Sequence, residues 1–349
     1  MPVIVEHAGS EDHAGAARSD GEIVIALINT MPDGAIRATE QQVIGLLTAA
    51  APAIPVRLQL YYLPDAPRAP TAQSVLLRGY REVGALWESR ADGVIMTGNV
   101  PRAPSLREEP YWDSMTQVFD WAEQHTASSV WSCLAAHAAV LHLDGVNRTA
   151  LTRKLSGVFD CIKAADHELM ADTPHGWAAP HSRQYGLVNE DLRARGYQLL
   201  TGSPTAGADI FIKQRRSLFI FLQGHLEYDP HSLFKEYVRD ITQFLQGERE
   251  LYPDMPSGYF DAQITSAFEQ FAARAIKERS ADLLAVLPAS EVQGRLASPW
   301  RTAAVAIYRN WLRYLAQQKL AAREPDRAAQ ATGQTMSPRH PQPYQAGAK

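Results

Sequence analysis

Three short runs of apolar residues constrain this chain more than any other feature. They are EIVIALIN (22–29), DGVIMT (92–97) and ASSVWS (127–132). The first is almost continuously apolar, as in a parallel strand buried on both faces, and the other two read as short buried strands. Each stops at a polar or glycine-bearing turn, and a stretch with helical spacing follows: 39–47, 111–125 and 134–143. A fourth segment, VRLQLYYL (56–63), alternates as a strand, followed by proline-rich LPDAPRAP and a helical stretch around 76–87. Strands alternating with helices predict an α/β fold, a mostly parallel sheet flanked by helices. In such sheets ligand sites lie at the carboxyl ends of the strands. Gly98 and Cys133 fall at two such ends.

The second half is more mixed. KLSGVFDCI reads as a strand from Ser156, APHSRQYG as a polar loop, and 197–201, 208–213 and 217–222 as three further strands, two joined by the basic turn KQRRS. A long helix starts at His231 or Ser232, another helical stretch runs over about 264–287, and a last helix opens at Ser298 or Pro299. Domain organisation follows: a flexible arm over 1–20, one domain over 21–322 with a helical insertion at 264–297, and a disordered tail over 323–349. The 349 residues are 46% hydrophobic and 21% charged, with a formal net charge of −4. That balance gives no electrostatic reason to expect nucleic acid or an anionic membrane as partner. No apolar stretch is long enough to cross a bilayer, and the N-terminal segment lacks a basic start and apolar run. Two cysteines make no disulfide framework and no zinc pattern, so we expect no metal and a reducing cytoplasm.

Cys133 sits where strand turns into helix, a junction that presents a side chain above the sheet edge and aims the first helical N–H groups at it. Such N–H groups lower a thiol pKa and stabilise an oxyanion. A buried structural cysteine fits the same position. His225 and Glu227 lie on a glycine-preceded loop after the strand LFIFLQ, at the same carboxyl edge. A histidine beside a thiol takes its proton, and a carboxylate behind the ring fixes the tautomer. A helix-capping loop with a solvated Glu227 is the plainer alternative. Gly98 and Asn99 end the DGVIMT strand, where a backbone N–H could complete an oxyanion hole with the N–H of Leu134; a simple turn is again the alternative.

INTMP, MTGNVP with EEPYW, WSCLAAHAA, RKLSGVFD, APHSR, QGHLEYD and EYVRD occur in that order. In this the chain resembles the homoserine O-succinyltransferase family over about residues 22–260, plus the last helix near 300–314. The resemblance implies a fold like class I glutamine amidotransferase domains, with extra C-terminal helices. It implies transfer of an acyl group, from acyl-CoA as co-substrate with no bound cofactor, to the hydroxyl of homoserine at the start of methionine biosynthesis. It implies Cys133 as acyl-accepting nucleophile, His225 as general base and acid, and Glu227 as its partner. Lys154 and Ser182 match substrate-site positions, Arg239 the residue expected to hold the amino-acid carboxylate, and Glu236 the one facing its ammonium. It also implies a homodimer.

The chain departs from that pattern in two places. Its first loop reads MPDGAIRATE where the family usually has a lysine pair, and Arg37 is the available substitute charge. After Gly98 the usual AP is Asn99-Val100, and the position tied to acyl choice falls near Arg102. A cation at Arg102 would suit the free carboxylate of a succinyl group; a CoA-phosphate contact or a surface arginine are the alternatives. Succinyl-CoA is therefore the favoured donor and acetyl-CoA the second. Serine or another hydroxy-amino acid as acceptor, a glutamine amidotransferase-like hydrolase and a non-catalytic thiol sensor are the rival readings.

Overall fold

The computed structural model describes residues 3–9 and 21–331, with side chains to Arg323. Its strands and helices, in chain order, are β1 (Ile4–Glu6), β2 (Ile23–Ile28), α1 (Ile36–Ala50), β3 (Val56–Tyr62), α2 (Pro70–Gly79), β4 (Arg81–Glu82), β5 (Gly93–Met96), α3 (Trp112–His125), β6 (Ser128–Ser132), α4 (Leu134–Asp144), β7 (Thr149–Lys163), β8 (Gly176–Gly186), α5 (Asn189–Ala194), β9 (Gln198–Leu199), β10 (Thr201–Ser203), β11 (Gly207–Ala208), β12 (Ile210–Gln214), β13 (Leu218–Leu222), α6 (Ser232–Leu245), α7 (Ala262–Glu278) and α8 (Arg301–Ala331). The main sheet runs β1-β3-β2-β5-β6-β13-β12-β9, with β4 beside β3. It is parallel from β1 through β13 and antiparallel only at β12 and β9. The α/β class with a mostly parallel sheet is therefore the observed one.

The apolar runs become buried strands because both faces of the sheet are covered. Ile23, Ile25 and Leu27 of β2 join one core cluster with α1 and α8, while Val24, Ala26 and Ile28 join a second with α3 and α4. Trp300, Tyr308 and Trp311 of the last helical segment are buried in the first cluster, so these aromatics are core. A third cluster joins α6 to α7, with Tyr237, Ile241 and Phe244 against Ile264, Phe268 and Phe271. The 264–297 segment thus packs behind α6.

Several local expectations need correction. Ile4–Glu6 of the expected arm form β1, parallel to β3, while residues 10–20 lie outside the described residues. The helix expected around 76–87 ends at Gly79, and Val83–Leu86 is a 3-10 turn. α8 continues to Ala331, past the expected start of the tail; residues 332–349 lie outside the described residues. The largest difference is APHSRQYG, expected as a loop. It is part of β8, the edge strand of a second, antiparallel sheet of order β11-β10-β7-β8. An edge strand tolerates Pro180, since the missing N–H faces no ladder partner. Its polar residues hid it because they serve a site rather than a core. β7 correspondingly starts at Thr149, seven residues before the expected Ser156.

Candidate active site

Cys133 lies between β6 and α4 with φ 52° and ψ −110°, a conformation that L residues rarely hold. Its backbone N–H donates to the Leu222 carbonyl at 2.7 Å, tying the elbow to the end of β13. Leu134 is the first residue of α4, so its N–H has no acceptor within the helix. Ala135 and Ala136 are fully buried, and keep the first turn slim. The neighbouring strand end supplies Gly98. A Cβ there would meet Cys133 Cβ at 3.1 Å and the Leu134 nitrogen at 3.3 Å, so glycine brings this backbone against the elbow. The Thr30 hydroxyl donates to the carbonyls of Thr97 at 2.7 Å and Gly98 at 2.9 Å. In a trans peptide the N–H opposes the C=O, so Thr30 also fixes the direction of the Asn99 N–H. The side chain of Asn99 accepts from the Val100 N–H at 2.8 Å.

The loop after β13 brings His225 to this edge. Its N–H donates to the Pro180 carbonyl at 2.9 Å. At Gly224 an added Cβ would lie 2.7 Å from Asp209 Oδ1, so the loop is pressed onto the buried His181–Asp209 pair, 3.3 Å apart. His225 Nδ1 pairs with Glu227 Oε1 at 2.8 Å, leaving Nε2 for the Cys133 thiol, whose charge the ring feels. The imidazole stacks on Tyr228, centroids 4.2 Å apart. Complete burial pulls the His225 pKa down, but the charges of Glu227 and Cys133 and the hydrogen bond to Glu227 outweigh it. The net result is a pKa raised well above the ordinary value. The imidazole and carboxylate expected to act together are therefore hydrogen-bonded, and the thiol interacts with the imidazole.

The matched substrate positions converge next to it. Glu236 on α6 accepts from the hydroxyls of Ser182 and Tyr228 and from Lys154 Nζ at 3.3 Å. Lys154 also donates to Asp240 at 2.9 Å, and Asp240 holds the Arg239 guanidinium through two bonds, at 2.7 and 2.9 Å. Burial acts to raise the Glu236 pKa, but Lys154, Ser182, Tyr228 and the His225 charge hold it below the usual carboxylate range. Arg239 remains 45% exposed and so keeps donors for a ligand. A cleft of about 360 Å³ opens beside Lys154 and Tyr185, between the β7–β8 ribbon and the segment after α6. Arg102 is exposed, and its N–H donates to Glu109 at 2.6 Å.

Sequence reasoning missed Tyr228, which joins His225 to Glu236, and Asp240, which joins Lys154 to Arg239. Both stood inside quoted motifs, QGHLEYD and EYVRD, and could have been read from them. Arg183, the last residue of APHSR, could have been read in the same way, whereas Arg148 carried no such signal; the charges of both interact with Cys133. Among the described residues, Cys161, His181 and Asp209 place possible metal-ligand atoms within 4.8 Å of one another. They sit buried beneath the Gly224 turn.

A sequence profile of the homoserine O-succinyltransferase family matches residues 8–322. The chain is 46% identical to a homoserine O-succinyltransferase of Rhodopseudomonas palustris, over 89% of this chain and 93% of that one. It is 44% identical to one of Bradyrhizobium japonicum, over 86% and 92%. Among solved structures, a glutamine amidotransferase of Thermotoga maritima superposes with a TM-score of 0.45 at 11% identity, covering 84% of this chain and 98% of that one.

Proposed function

The chain belongs to the homoserine O-succinyltransferase family of acyltransferases, and from that premise we propose that it moves a succinyl group from succinyl-CoA to the hydroxyl of homoserine through an acyl-enzyme on Cys133. The observation that carries this reading is the row Cys133–His225–Glu227, set at a strained strand-to-helix elbow beside the Gly98 backbone. The Cys133 thiolate attacks the thioester carbonyl. The N–H groups of Leu134 and of Gly98 or Asn99 receive the oxyanion, a contribution of roughly 3 kcal/mol per donor. The carbon–sulfur bond to CoA breaks, and the departing thiolate takes the proton from His225 Nε2. Acylation removes the negative charge of Cys133, one of the causes that raise the His225 pKa. The imidazole is thereby returned to its neutral form when a base is next required. It then takes the proton of the homoserine hydroxyl, whose oxygen attacks the acyl group and releases the thiol.

The acceptor is oriented by Arg239 on its carboxylate and by Glu236 on its ammonium, with Lys154 and Ser182 holding Glu236 in place. Arg102 acts on the donor side as an outer cation. No metal and no resident cofactor takes part in this scheme; the acyl-CoA is a substrate. Family membership also underlies the reading of a cytoplasmic homodimer at the entry to methionine biosynthesis. No helix among the described residues is long and apolar enough to cross a membrane.

The test is a matrix of succinyl- and acetyl-CoA against homoserine and serine, read by mass spectrometry. The expected result is a succinyl adduct on the peptide bearing Cys133, discharged by homoserine, and none in Cys133→Ala. Glutamine hydrolysis without any acyl adduct would instead establish the amidotransferase-like rival.

A further inference from the structure

Succinyl and acetyl donors differ by one carboxylate, so a donor-selective site needs an uncommitted cation near the thiol. Most of the cations around the elbow are spent. Arg183 donates from both terminal nitrogens to the carbonyls of Tyr185 and Ala206. Lys154 is paired with Glu236 and Asp240, and Arg239, paired with Asp240, is already assigned to the acceptor carboxylate. Arg102 is exposed, and only its backbone is tied down. Arg148 differs from all of these. Its guanidinium carbon lies over the Tyr185 ring, 3.8 Å from the centroid, and its Nη2 is buried with no hydrogen-bond partner. Among the described residues no carboxylate lies within ion-pairing distance of it.

Two other orphans belong to the same neighbourhood. The Tyr111 hydroxyl and Glu109 Oε2 are both buried without a well-formed hydrogen bond, and Glu109 is the carboxylate that acts on the hydroxyl. Glu109 spends its other oxygen on the N–H groups of Arg102 and Ala103, at 2.6 and 2.7 Å. Burial and then Glu109 raise the Tyr111 pKa, so its hydroxyl stays protonated and able to donate. Arg148 stands between α4, the helix that Cys133 opens, and β7, and packs over Tyr185 of the strand that carries Ser182; its charge also acts on Glu109, Tyr111 and Cys133. An unfilled guanidinium beside a neutral hydroxyl donor is the chemistry that receives a carboxylate.

Building on the succinyl-transfer reading, we propose that Arg148, with the Tyr111 hydroxyl, binds the free carboxylate of the succinyl donor and so selects it over acetyl. The succinyl carboxylate is separated from the thioester carbonyl by only two methylenes, so its partner must lie beside Cys133. The CoA phosphates are separated from the thioester by the whole pantetheine arm, so an exposed cation such as Arg102 suits them better than a half-buried one. Tyr185 under the guanidinium fixes its plane and makes a lysine an imperfect replacement.

The experiment compares succinyl-CoA, its terminal methyl ester and acetyl-CoA as donors to homoserine, in the wild type and in Arg148→Gln, Arg148→Lys, Tyr111→Phe and Arg102→Gln. The expected wild type prefers succinyl-CoA to its methyl ester. In Arg148→Gln the kcat/KM for succinyl-CoA falls by roughly 10- to 100-fold, the loss of a charge-assisted hydrogen bond, and the preference over the ester collapses. Arg148→Lys recovers part of it, and Tyr111→Phe weakens it independently should Arg148→Gln fold poorly. Equal losses with all three donors, or an unchanged preference, overturn the proposal. A preference that collapses in Arg102→Gln and survives in Arg148→Gln overturns it too. A wild type acylated by acetyl-CoA but not by succinyl-CoA overturns Arg148 as selector while acyl transfer stands. A wild type acylated by no CoA ester overturns the transfer reading itself, and the proposal with it.

Discussion

The elbow around Cys133 and the cluster around Glu236 place their chemical groups by different means. At the elbow the backbone does it. Cys133, Leu134 and Gly98 stand at the ends of neighbouring parallel strands, and hydrogen bonds from Cys133 to Leu222 and from Thr30 to Gly98 lock those ends together. In the Glu236 cluster side chains position one another. Lys154 from β7, Ser182 from β8 and Glu236, Arg239 and Asp240 from α6 meet through ion pairs and hydroxyl bonds. Backbone placement suits the nucleophile and oxyanion hole, which must be rigid before the transition state forms. Side-chain placement suits recognition of a zwitterion, because existing charge pairs can be exchanged for those of the ligand. The first region should therefore govern both half-reactions and the second only the transfer to the acceptor.

The most damaging challenge to that division is at His225. His225→Ala should lower turnover by roughly 10⁴-fold or more, in acylation and in transfer alike, because one imidazole serves both. Glu227→Gln should be between ten- and a hundredfold milder, on the order of the difference between base and orienter in other triads. It should also change the pH profile. Glu227 raises the His225 pKa, so without its charge the imidazolium is lost at lower pH. The alkaline limb of the acylation rate, followed by release of CoA, should move toward lower pH. A limb that moves the other way, or Glu227→Gln matching His225→Ala in damage, would break the pairing.

Arg239→Ala sharpens the comparison from the other side. Losing a charged donor to the acceptor carboxylate should cost roughly 10- to 100-fold in kcat/KM for homoserine. The pre-steady-state burst of CoA, measured without homoserine, should be unmoved. If the burst falls as far as kcat/KM, the cluster is part of the nucleophile's machinery and the two regions are one.

The same contrast explains what the sequence disclosed. The parallel core was legible because burial on both faces leaves unbroken apolar runs, and Cys133, Gly98 and His225 were legible because strand ends are where such folds place ligands. The β7–β8 ribbon was only half legible. Residues 179–186 carry Ser182 and Arg183 into a site, so the alternation that marks a half-buried strand is absent, and Pro180 argues against any central strand. Lys154 and Ser182 therefore entered through motif resemblance rather than pattern. Arg148 entered by neither route. It stands just before β7, and its packing over Tyr185 of β8 follows from the β7–β8 register, which no spacing in the sequence reveals. Tyr228 shows a third kind of gap: its ring belongs to His225 and its hydroxyl to Glu236, a division that no one-dimensional spacing reveals.

Tyr228 is also where the two regions touch, and the smallest effect is expected there. The indole N–H of Trp300, fully buried just before α8, donates to the Tyr228 carbonyl at 3.0 Å. Trp300→Phe keeps an aromatic ring but leaves that buried carbonyl without its donor, at a cost of about 1–3 kcal/mol. The midpoint of urea denaturation should fall with an unchanged slope, since the surface exposed on unfolding stays the same. Tyr228 supports His225 with its ring and Glu236 with its hydroxyl, so acylation and transfer should slow together, each severalfold at most. Loss of stability with both half-reactions at wild-type rates would make Trp300 a core residue alone. A loss confined to transfer would place Tyr228 wholly with the Glu236 cluster, and the boundary between backbone-held and side-chain-held chemistry would then run between His225 and its neighbour.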